Sequence, residues 1–251
     1  MNRSVAPVPG QTDKHHFTIR VAGLNIEVSA VSNRLYDLYA GYRTSGIPDY
    51  KVRITSQDID REIKARQDLP AASNEISYES IAFLRKLLEN VIDSDVLLMH
   101  GAAIATGNDA WLFSAPSGTG KTTHIRQWLE RLPDAYVVNG DKPLLRFTES
   151  GAMVCGSPWC GKERLSTNAM VPLRAIAFMK RDGRNRMEEI SFAQAYRHLL
   201  QQTYLPYGAE NAEKALRLLS QMNGKVRFYE FFFDNYQPDC FQVAYETLAG
   251  S

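Results

Sequence analysis

The stretch Ala115-Pro116-Ser117-Gly118-Thr119-Gly120-Lys121-Thr122 lies between two segments of different hydrophobic pattern. The five residues before it, Ala110-Trp111-Leu112-Phe113-Ser114, are mainly apolar and predict a buried strand. After it, Ile125, Trp128 and Leu129 repeat at helical spacing, and Pro133 ends the pattern. A loop of this composition between a strand and a helix is the Walker A motif, here in its Ala-first form. The sequence therefore predicts an ATP-binding loop inside an α/β core.

Each residue type in this loop has a physical role in holding phosphate. Gly118 and Gly120 let backbone N–H groups close around phosphate oxygens, and the helix N-terminus adds partial positive charge. Lys121 would place a cation at the β- and γ-phosphates, and the Thr122 hydroxyl would ligate Mg²⁺. The predicted cofactors are ATP and Mg²⁺. The predicted nucleotide-binding residues are Ser117, Gly118, Thr119, Gly120, Lys121, Thr122 and Thr123.

A carboxylate is expected near the metal, at the end of a neighbouring strand. Asp141 follows the strand pattern Ala135-Tyr136-Val137-Val138-Asn139, 20 residues after Lys121, which is room for one helix and a return strand. Ligands of α/β sheets collect at the carboxyl ends of strands. We therefore expect Asp141 to bind the metal and to act in catalysis, although an aspartate that opens a turn before Pro143 would look similar.

Two predicted hairpins bring further groups to the same place. A two-residue turn at Gly107-Asn108 would fold the strand 96–106 onto 109–115 and put His100 opposite Ala115. This register predicts a His100 imidazole close to the γ-phosphate position or to Asp141, whereas a slip of one residue would turn it away. A histidine on a strand can also have a purely structural role.

The second predicted turn, Ser150-Gly151, would place the loop 158–163 beside Asp141. Lys162 and Glu163 in this loop are candidates to contact phosphate, metal or acceptor, or else belong to an ordinary exposed turn. Cys160 has no activating partner nearby in sequence, so a packed thiol is expected rather than a nucleophile.

The rest of the chain is typical of a globular protein with two domains. We predict a small mixed α/β domain over residues 1–74 and a P-loop kinase domain over 75–251, with a flexible start at 1–14 and a linker at 71–74. The formal net charge is +1, with 29 Lys+Arg against 28 Asp+Glu, so nucleic acid is not an expected partner. No apolar run is long enough for a membrane span, and 3 cysteines are too few for a disulfide framework, so a cytoplasmic protein is predicted.

The order of these motifs resembles the catalytic domain of HPr kinase/phosphorylase, one of the phosphoenolpyruvate carboxykinase-like P-loop proteins. The residues that carry the likeness are His100-Gly101-Ala102-Ala103, then a hairpin, then Ser117 to Thr122, within about 96–146. The segments 139–143 and 158–163 look like the smaller, stand-alone bacterial members. Two adjacent aspartates follow the strand in HPr enzymes, whereas this chain has Gly140-Asp141. The resemblance implies a P-loop core with a mixed sheet.

Together the motifs predict an ATP-dependent kinase that transfers the γ-phosphoryl group to a hydroxyl, with serine of a peptide or protein implied by the resemblance. The first domain would recognise the acceptor. A kinase for a small metabolite such as free serine and a nucleotide-sensing module without transfer activity are the alternatives. The sequence does not determine the oligomeric state. The predicted catalytic residues are Asp141, His100, Lys121, Lys162 and Glu163.

Overall fold

The computed structural model describes residues 14–65 and 75–249, and the chain divides into two compact units, within 1–87 and 88–251. The predicted linker at 71–74 and residues 1–13 of the predicted flexible start lie outside the described residues. The domain boundary after residue 74 therefore stays a prediction. Residues 75–87, the larger part of one long helix, belong to the first unit.

The first unit contains a four-stranded mixed sheet with strand order β3-β1-β2-β4. The sequence over 17–29 predicts a hairpin, which is present, with Val21 opposite Leu24 and Ala22-Gly23 as a two-residue turn. Both turn residues have positive φ, as the primed turns of tight hairpins require. The sequence over 33–42 predicts a helix, and the α-helix found there is shorter, Arg34–Leu38. The elements are β1 (His16–Val21), β2 (Leu24–Ser29), α1 (Arg34–Leu38), β3 (Arg43–Thr44), β4 (Tyr50–Arg53), α2 (Ser56–Lys64) and α3 (Glu75–Val91).

The second unit is built on a ten-stranded mixed sheet, and four helices follow α3 in the described chain. Its strands are β5 (Val96–Met99), β6 (Ala102–Thr106), β7 (Asp109–Ser114), β8 (Tyr136–Asn139), β9 (Leu144–Thr148), β10 (Gly151–Cys155), β11 (Met170–Arg181), β12 (Arg186–Ile190), β13 (Thr203–Tyr204) and β14 (Arg227–Phe233). Its helices are α4 (Lys121–Arg131), α5 (Phe192–Gln202), α6 (Ala209–Ser220) and α7 (Cys240–Ala249). The predicted α/β class is confirmed at this level.

The strands around the 115–122 loop have the predicted order. The β6–β7 hairpin pairs Thr106 with Asp109 and Ala102 with Phe113, as the Gly107-Asn108 turn predicts. Strand β6 is antiparallel to both β7 and β8, so β7 and β8 run parallel with β6 between them. Helix α4 is the crossover connection. The loops that follow β7 and β8 therefore leave the sheet at the same edge.

Both faces of this sheet are covered, which explains its nearly continuous apolar strands. On β7, Leu112 belongs to the hydrophobic cluster that includes α5 and α6, whereas Trp111 and Phe113 belong to the cluster that includes α4 and α7. Alternate residues of β11 divide in the same way, with Phe178 on the α5 face and Met179 on the α4 face. Side chains at the ends of these strands can thus be assigned to one face.

Two predictions about the strands are wrong. The apolar segment 96–105 is not one strand, because the chain bends at His100-Gly101: β5 pairs with β9 and β13, while β6 pairs with β7 and β8. The second hairpin turns at Glu149-Ser150, with Thr148 opposite Gly151, rather than at Ser150-Gly151. The partner of each residue is therefore shifted by two positions, which leaves every side chain on its predicted face.

None of the helices in the described residues has the length and the apolar composition that crossing a bilayer requires.

Candidate functional site

The 115–122 loop joins the end of β7 to the start of α4 in the conformation that its glycines permit. Gly118 has φ +77° and Gly120 has φ +120°, values that residues with a Cβ rarely adopt. Gly120 is the N-cap of α4, and its carbonyl accepts a hydrogen bond from His124 N. Ser117 and Thr123 are exposed, and Thr122 is half-buried. The loop therefore presents its backbone and the helix N-terminus to solvent.

Lys121 folds back over this loop. Its ammonium donates hydrogen bonds to the carbonyls of Ala115, at 2.7 Å, and Pro116, at 3.1 Å, and the residue is only 7% exposed. Burial lowers the pKa of Lys121, and the negative charge of Asp141 partly offsets that effect. The side chain of Lys121 therefore also bonds the loop in which we predict it to bind phosphate.

Two residues that the sequence did not single out hold the loop from the α4 face of the sheet. Arg181, the last residue of β11, donates to the carbonyls of Gly118 at 2.8 Å and Thr119 at 3.0 Å. The Asn235 amide donates to the Gly120 carbonyl at 3.1 Å. Both lie far along the chain from the loop, so no local pattern identifies them. Three consecutive loop carbonyls are thereby fixed in position.

Asp141 lies just beyond β8, where the sequence predicts it, and a buried asparagine fixes its backbone. The side-chain oxygen of Asn139 accepts hydrogen bonds from the N–H groups of Asp141, at 2.9 Å, and Lys142, at 2.7 Å. The amide nitrogen of Asn139 donates to Ser157 O and Oγ, both at 2.9 Å. The Asp141 carbonyl accepts from Gly101 N. The Asp141 backbone is thus bonded on both sides, which orients its carboxylate.

The carboxylate of Asp141 contacts two cationic or protonatable groups. His100 Nε2 lies 3.3 Å from Oδ1, and the Lys142 ammonium pairs with Oδ2. Burial alone would raise the pKa of Asp141, but the hydrogen bonds from His100 and Lys142 outweigh it and lower the pKa to about 2. Asp141 is therefore ionised at neutral pH. Lys142 was not predicted as a site residue, although it is the next residue in the chain.

His100 reaches Asp141 by a route different from the one predicted. It does not pair with Ala115 across a continuous ladder; it lies at the bend between β5 and β6, where its carbonyl accepts from Ser114 Oγ at 2.7 Å. Its Nδ1 lies 3.1 Å from Gln202 Oε1, at the end of α5. The two ring nitrogens of His100 therefore have different partners, Gln202 at Nδ1 and Asp141 at Nε2. The predicted proximity to Asp141 is found, and Gln202 is a partner that the sequence did not indicate.

The loop 158–163 lies beside Asp141, and its glycine comes close to that residue. A Cβ at Gly161 would lie 3.1 Å from the Asp141 Cβ. Glu163 instead pairs with Arg126 of α4, at 2.5 Å, one helical turn beyond Thr122, and Lys162 is exposed. Burial raises the pKa of the Cys160 thiol, which agrees with a packed thiol. Catalytic roles for Lys162 and Glu163 stay predictions.

The donor set fits a magnesium ion held partly by nucleotide. No group of three or more acidic, histidine or cysteine side chains that could hold a metal occurs in the described residues. Mg²⁺ usually needs only one or two protein oxygens, the rest coming from phosphates and water. The Asp141 carboxylate and the half-buried Thr122 hydroxyl are oxygens of this kind, at the same edge of the sheet.

Comparison with known proteins gives a distant structural match and no match in sequence. No protein-family model matches the sequence, and neither does any curated protein. Among solved structures, the chain is similar to the Hpr(Ser) kinase/phosphatase from Coxiella burnetii, at 8% identity and a TM-score of 0.35. That alignment covers 61% of this chain and 88% of the other. At this level the relation is a distant structural one, so function is inferred below from the site and from the sequence motifs.

Proposed function

We propose that this protein is an ATP-dependent kinase that transfers the γ-phosphoryl group to a hydroxyl. The observation that carries the proposal is that the glycine-rich loop and the Asp141 carboxylate lie at the same edge of the sheet. The 115–122 loop with Lys121 follows β7, and Asp141 follows the parallel strand β8 and contacts His100. The charges of Lys121 and Asp141 are close enough to affect each other. Phosphoryl transfer needs mainly positioning and neutralisation of charge, and these groups supply both.

Each residue has a definite task in this proposal. The loop N–H groups and the Lys121 ammonium bind the phosphates, and Asp141 accepts a hydrogen bond from the attacking hydroxyl. Its pKa of about 2 makes it a weak base, which suits a loose transition state in which little proton transfer is needed early. His100 holds a proton at Nε2 beside that carboxylate. Thr122 and Asp141 would hold a Mg²⁺ ion, which would supply neutralisation of charge on the transferred group.

The acceptor that we propose is a serine hydroxyl of a peptide or protein, on the basis of the resemblance to HPr kinase-like proteins, with a small metabolite such as free serine as the alternative. The first unit would recognise the acceptor. We place the protein in the cytoplasm, where ATP and reduced thiols are both expected; three free cysteines, Cys155, Cys160 and Cys240, agree with this.

One observation favours a second candidate function, a nucleotide-sensing module. HPr-kinase-like enzymes would have a second acid where this chain has Gly140. A Cβ at Gly140 would lie 3.2 Å from the Cys160 carbonyl oxygen and 3.3 Å from that of Leu165. A second carboxylate would therefore crowd two backbone carbonyls. The site is built around a single acid, which a binding protein without transfer activity would tolerate.

Incubation with γ-labelled ATP and Mg²⁺ tests the proposal. The acceptors are a library of serine-containing peptides, their serine-to-alanine counterparts and free serine, and Lys121→Ala is the inactive control. Label in serine peptides alone supports the proposed acceptor, and label in free serine supports the metabolite. Nucleotide-dependent thermal stabilisation without label in any acceptor supports the sensor. No stabilisation by millimolar ATP-Mg²⁺ would contradict nucleotide binding altogether.

A further inference from the structure

A cavity of about 470 Å³ opens beside the 115–122 loop on the flank that does not contain Asp141. Its volume lies in the range of about 300–1,000 Å³ typical of small-molecule sites. The loop and the start of α4 form one wall through Thr119, Gly120 and Thr123, and the ends of β11 and β14 form the other. The remaining lining residues are Arg181, Asp182, Gly183, Phe233, Asp234, Asn235 and Tyr236.

The cavity lies where the nucleoside end of a nucleotide bound to the loop would extend. Phosphates bound along the loop must place the reactive γ-phosphate near Lys121 and Asp141, whose charges interact. Asp141 does not line the cavity. The opposite end of the molecule, the nucleoside, then extends past Thr123 into the space beyond. Thr123 follows Thr122 by one residue, so it faces about 100° around the helix from the predicted metal ligand.

The lining contains one cation, Arg181, which is bonded to the loop carbonyls, and two carboxylates, which favour hydroxyl groups over phosphate. Asp182 and Asp234 give the cavity two carboxylates, which repel a phosphate but accept hydrogen bonds from sugar hydroxyls. Asp182 is already paired with Arg186 at 2.7 Å. Asp234 accepts from Tyr236 N through Oδ1, and its own N–H donates to Asn185 Oδ1, so its position is set. Its Oδ2 has no partner among the described residues.

An aromatic side chain, Tyr236, lies at the rim of the cavity. Tyr236 is 96% exposed, although it lines the cavity. Its backbone is held by the hydrogen bond to Asp234. An exposed aromatic side chain beside a polar pocket offers a flat surface on which a nucleobase can stack. Phe233, buried below, closes the floor against the loop.

We propose that this cavity binds the nucleoside part of a ribonucleotide, with Asp234 Oδ2 accepting from the ribose 2′-hydroxyl and Tyr236 stacking on the base. The inference rests on the proposed function in one respect, since it requires phosphates in the 115–122 loop. It adds a specificity that the loop itself cannot supply, because backbone N–H groups and Lys121 recognise only phosphate.

Calorimetric titration with ATP, 2′-deoxy-ATP and inorganic tripolyphosphate, each with Mg²⁺, tests the inference. We expect ATP to bind at least tenfold more tightly than tripolyphosphate, and 2′-deoxy-ATP to bind about tenfold more weakly than ATP. Asp234→Asn, which keeps the side-chain shape, should weaken ATP about fivefold and leave both 2′-deoxy-ATP and tripolyphosphate unchanged. Glu213→Gln, which removes one negative charge from the exposed face of α6, is the matched control and should change none of the three.

The proposed stacking of Tyr236 on the nucleobase is tested by a second pair of variants. Tyr236→Ala should weaken ATP roughly tenfold without affecting tripolyphosphate, whereas Tyr236→Phe should bind ATP normally. Equal binding of ATP and tripolyphosphate would overturn the inference and leave the phosphate loop in place. Weakening of 2′-deoxy-ATP by Asp234→Asn to the same extent as ATP would overturn the ribose contact. Failure of all three ligands to bind would reject the proposed function itself, and with it the inference.

Discussion

The two flanks of the 115–122 loop differ in how their carboxylates are used. On one flank, the Asp141 carboxylate contacts His100 and Lys142, and Gln202 extends this network to α5. On the other flank, Asp234 borders an open cavity, and one of its oxygens has no partner in the described chain. A carboxylate that is fixed and surrounded by cations is suited to act on charge that develops nearby. A carboxylate at an open cavity is suited to recognition.

This difference predicts that changes on the Asp141 flank affect turnover and changes on the Asp234 flank affect affinity. The loop between them should contribute to both.

The largest effect is expected from Asp141→Asn, which keeps the shape and removes the charge. Transfer should fall about 10²–10⁴-fold, because the hydroxyl loses its acceptor and the metal loses a ligand. Affinity for ATP should change far less, because the loop and Lys121 are untouched. Measured kcat and ATP Kd separate the two effects. Near-normal transfer by Asp141→Asn would reject the assignment and point to Glu163 instead.

Lys121→Ala should have the next largest effect and should act on binding. Loss of the cation should weaken ATP about 10–100-fold, so most of the nucleotide-dependent thermal stabilisation disappears. The variant should also be less stable without ligand, because two loop carbonyls lose their donor. Lys225→Ala, a change at an exposed lysine remote in sequence, is the control. A variant with unchanged ATP affinity would exclude Lys121 from the phosphate site.

The pKa of Asp141 makes a prediction about stability and pH. Because folding lowers this pKa from 3.8 to about 2, the ionised carboxylate contributes about 2 kcal/mol above pH 4. That contribution should be lost as the pH falls from 4 through 2. Urea unfolding of the protein and of Asp141→Asn should therefore differ at pH 7 and converge near pH 2. A difference that stays constant across this range would contradict the lowered pKa.

His100→Ala should have the smallest effect and should act on rate rather than binding. Loss of one hydrogen bond to Asp141 should lower kcat about tenfold, with little change in ATP Kd. Gln202→Leu, which removes the partner of Nδ1, should lower kcat less and alter its pH profile, because Gln202 acts only through the ring. Gln201→Leu, at the exposed neighbouring position, should change neither. Equal losses in kcat and ATP affinity for His100→Ala would indicate a purely structural histidine.

Elements set by neighbouring residues could be predicted from the sequence. The Gly107-Asn108 turn determines the β6–β7 register, and the Ser-x-x-Gln pattern at Ser191 and Gln194 predicts the capping box that starts α5. The strand, loop and helix around 115–122 were predicted for the same reason. At 149–151 two turn positions were equally acceptable, and the sequence could not distinguish them. The predicted turn was one residue too late, so each residue pairs with a partner two positions away from the predicted one.

Contacts between distant parts of the chain could not be predicted. Gln202 lies 102 residues from His100, and Arg181 lies 63 residues from Gly118. Their positions depend on how β13 pairs with β5 and how β11 pairs with β7, which no local pattern encodes. The bend at His100-Gly101 has the same origin, since the two halves of an evenly apolar segment find different partners in the sheet.

The sequence by itself placed three features at one edge of the sheet: a glycine-rich loop, a lysine within it, and an aspartate one crossover later. Spacing and residue type are enough for this, because a strand, a helix and a return strand can connect in few ways. Only the tertiary structure decided what surrounds these groups. It brought His100 to Asp141 from a bend, and it formed the cavity between the loop and the ends of β11 and β14. Such surroundings depend on packing between strands far apart in the chain, and that packing is a property of the whole fold.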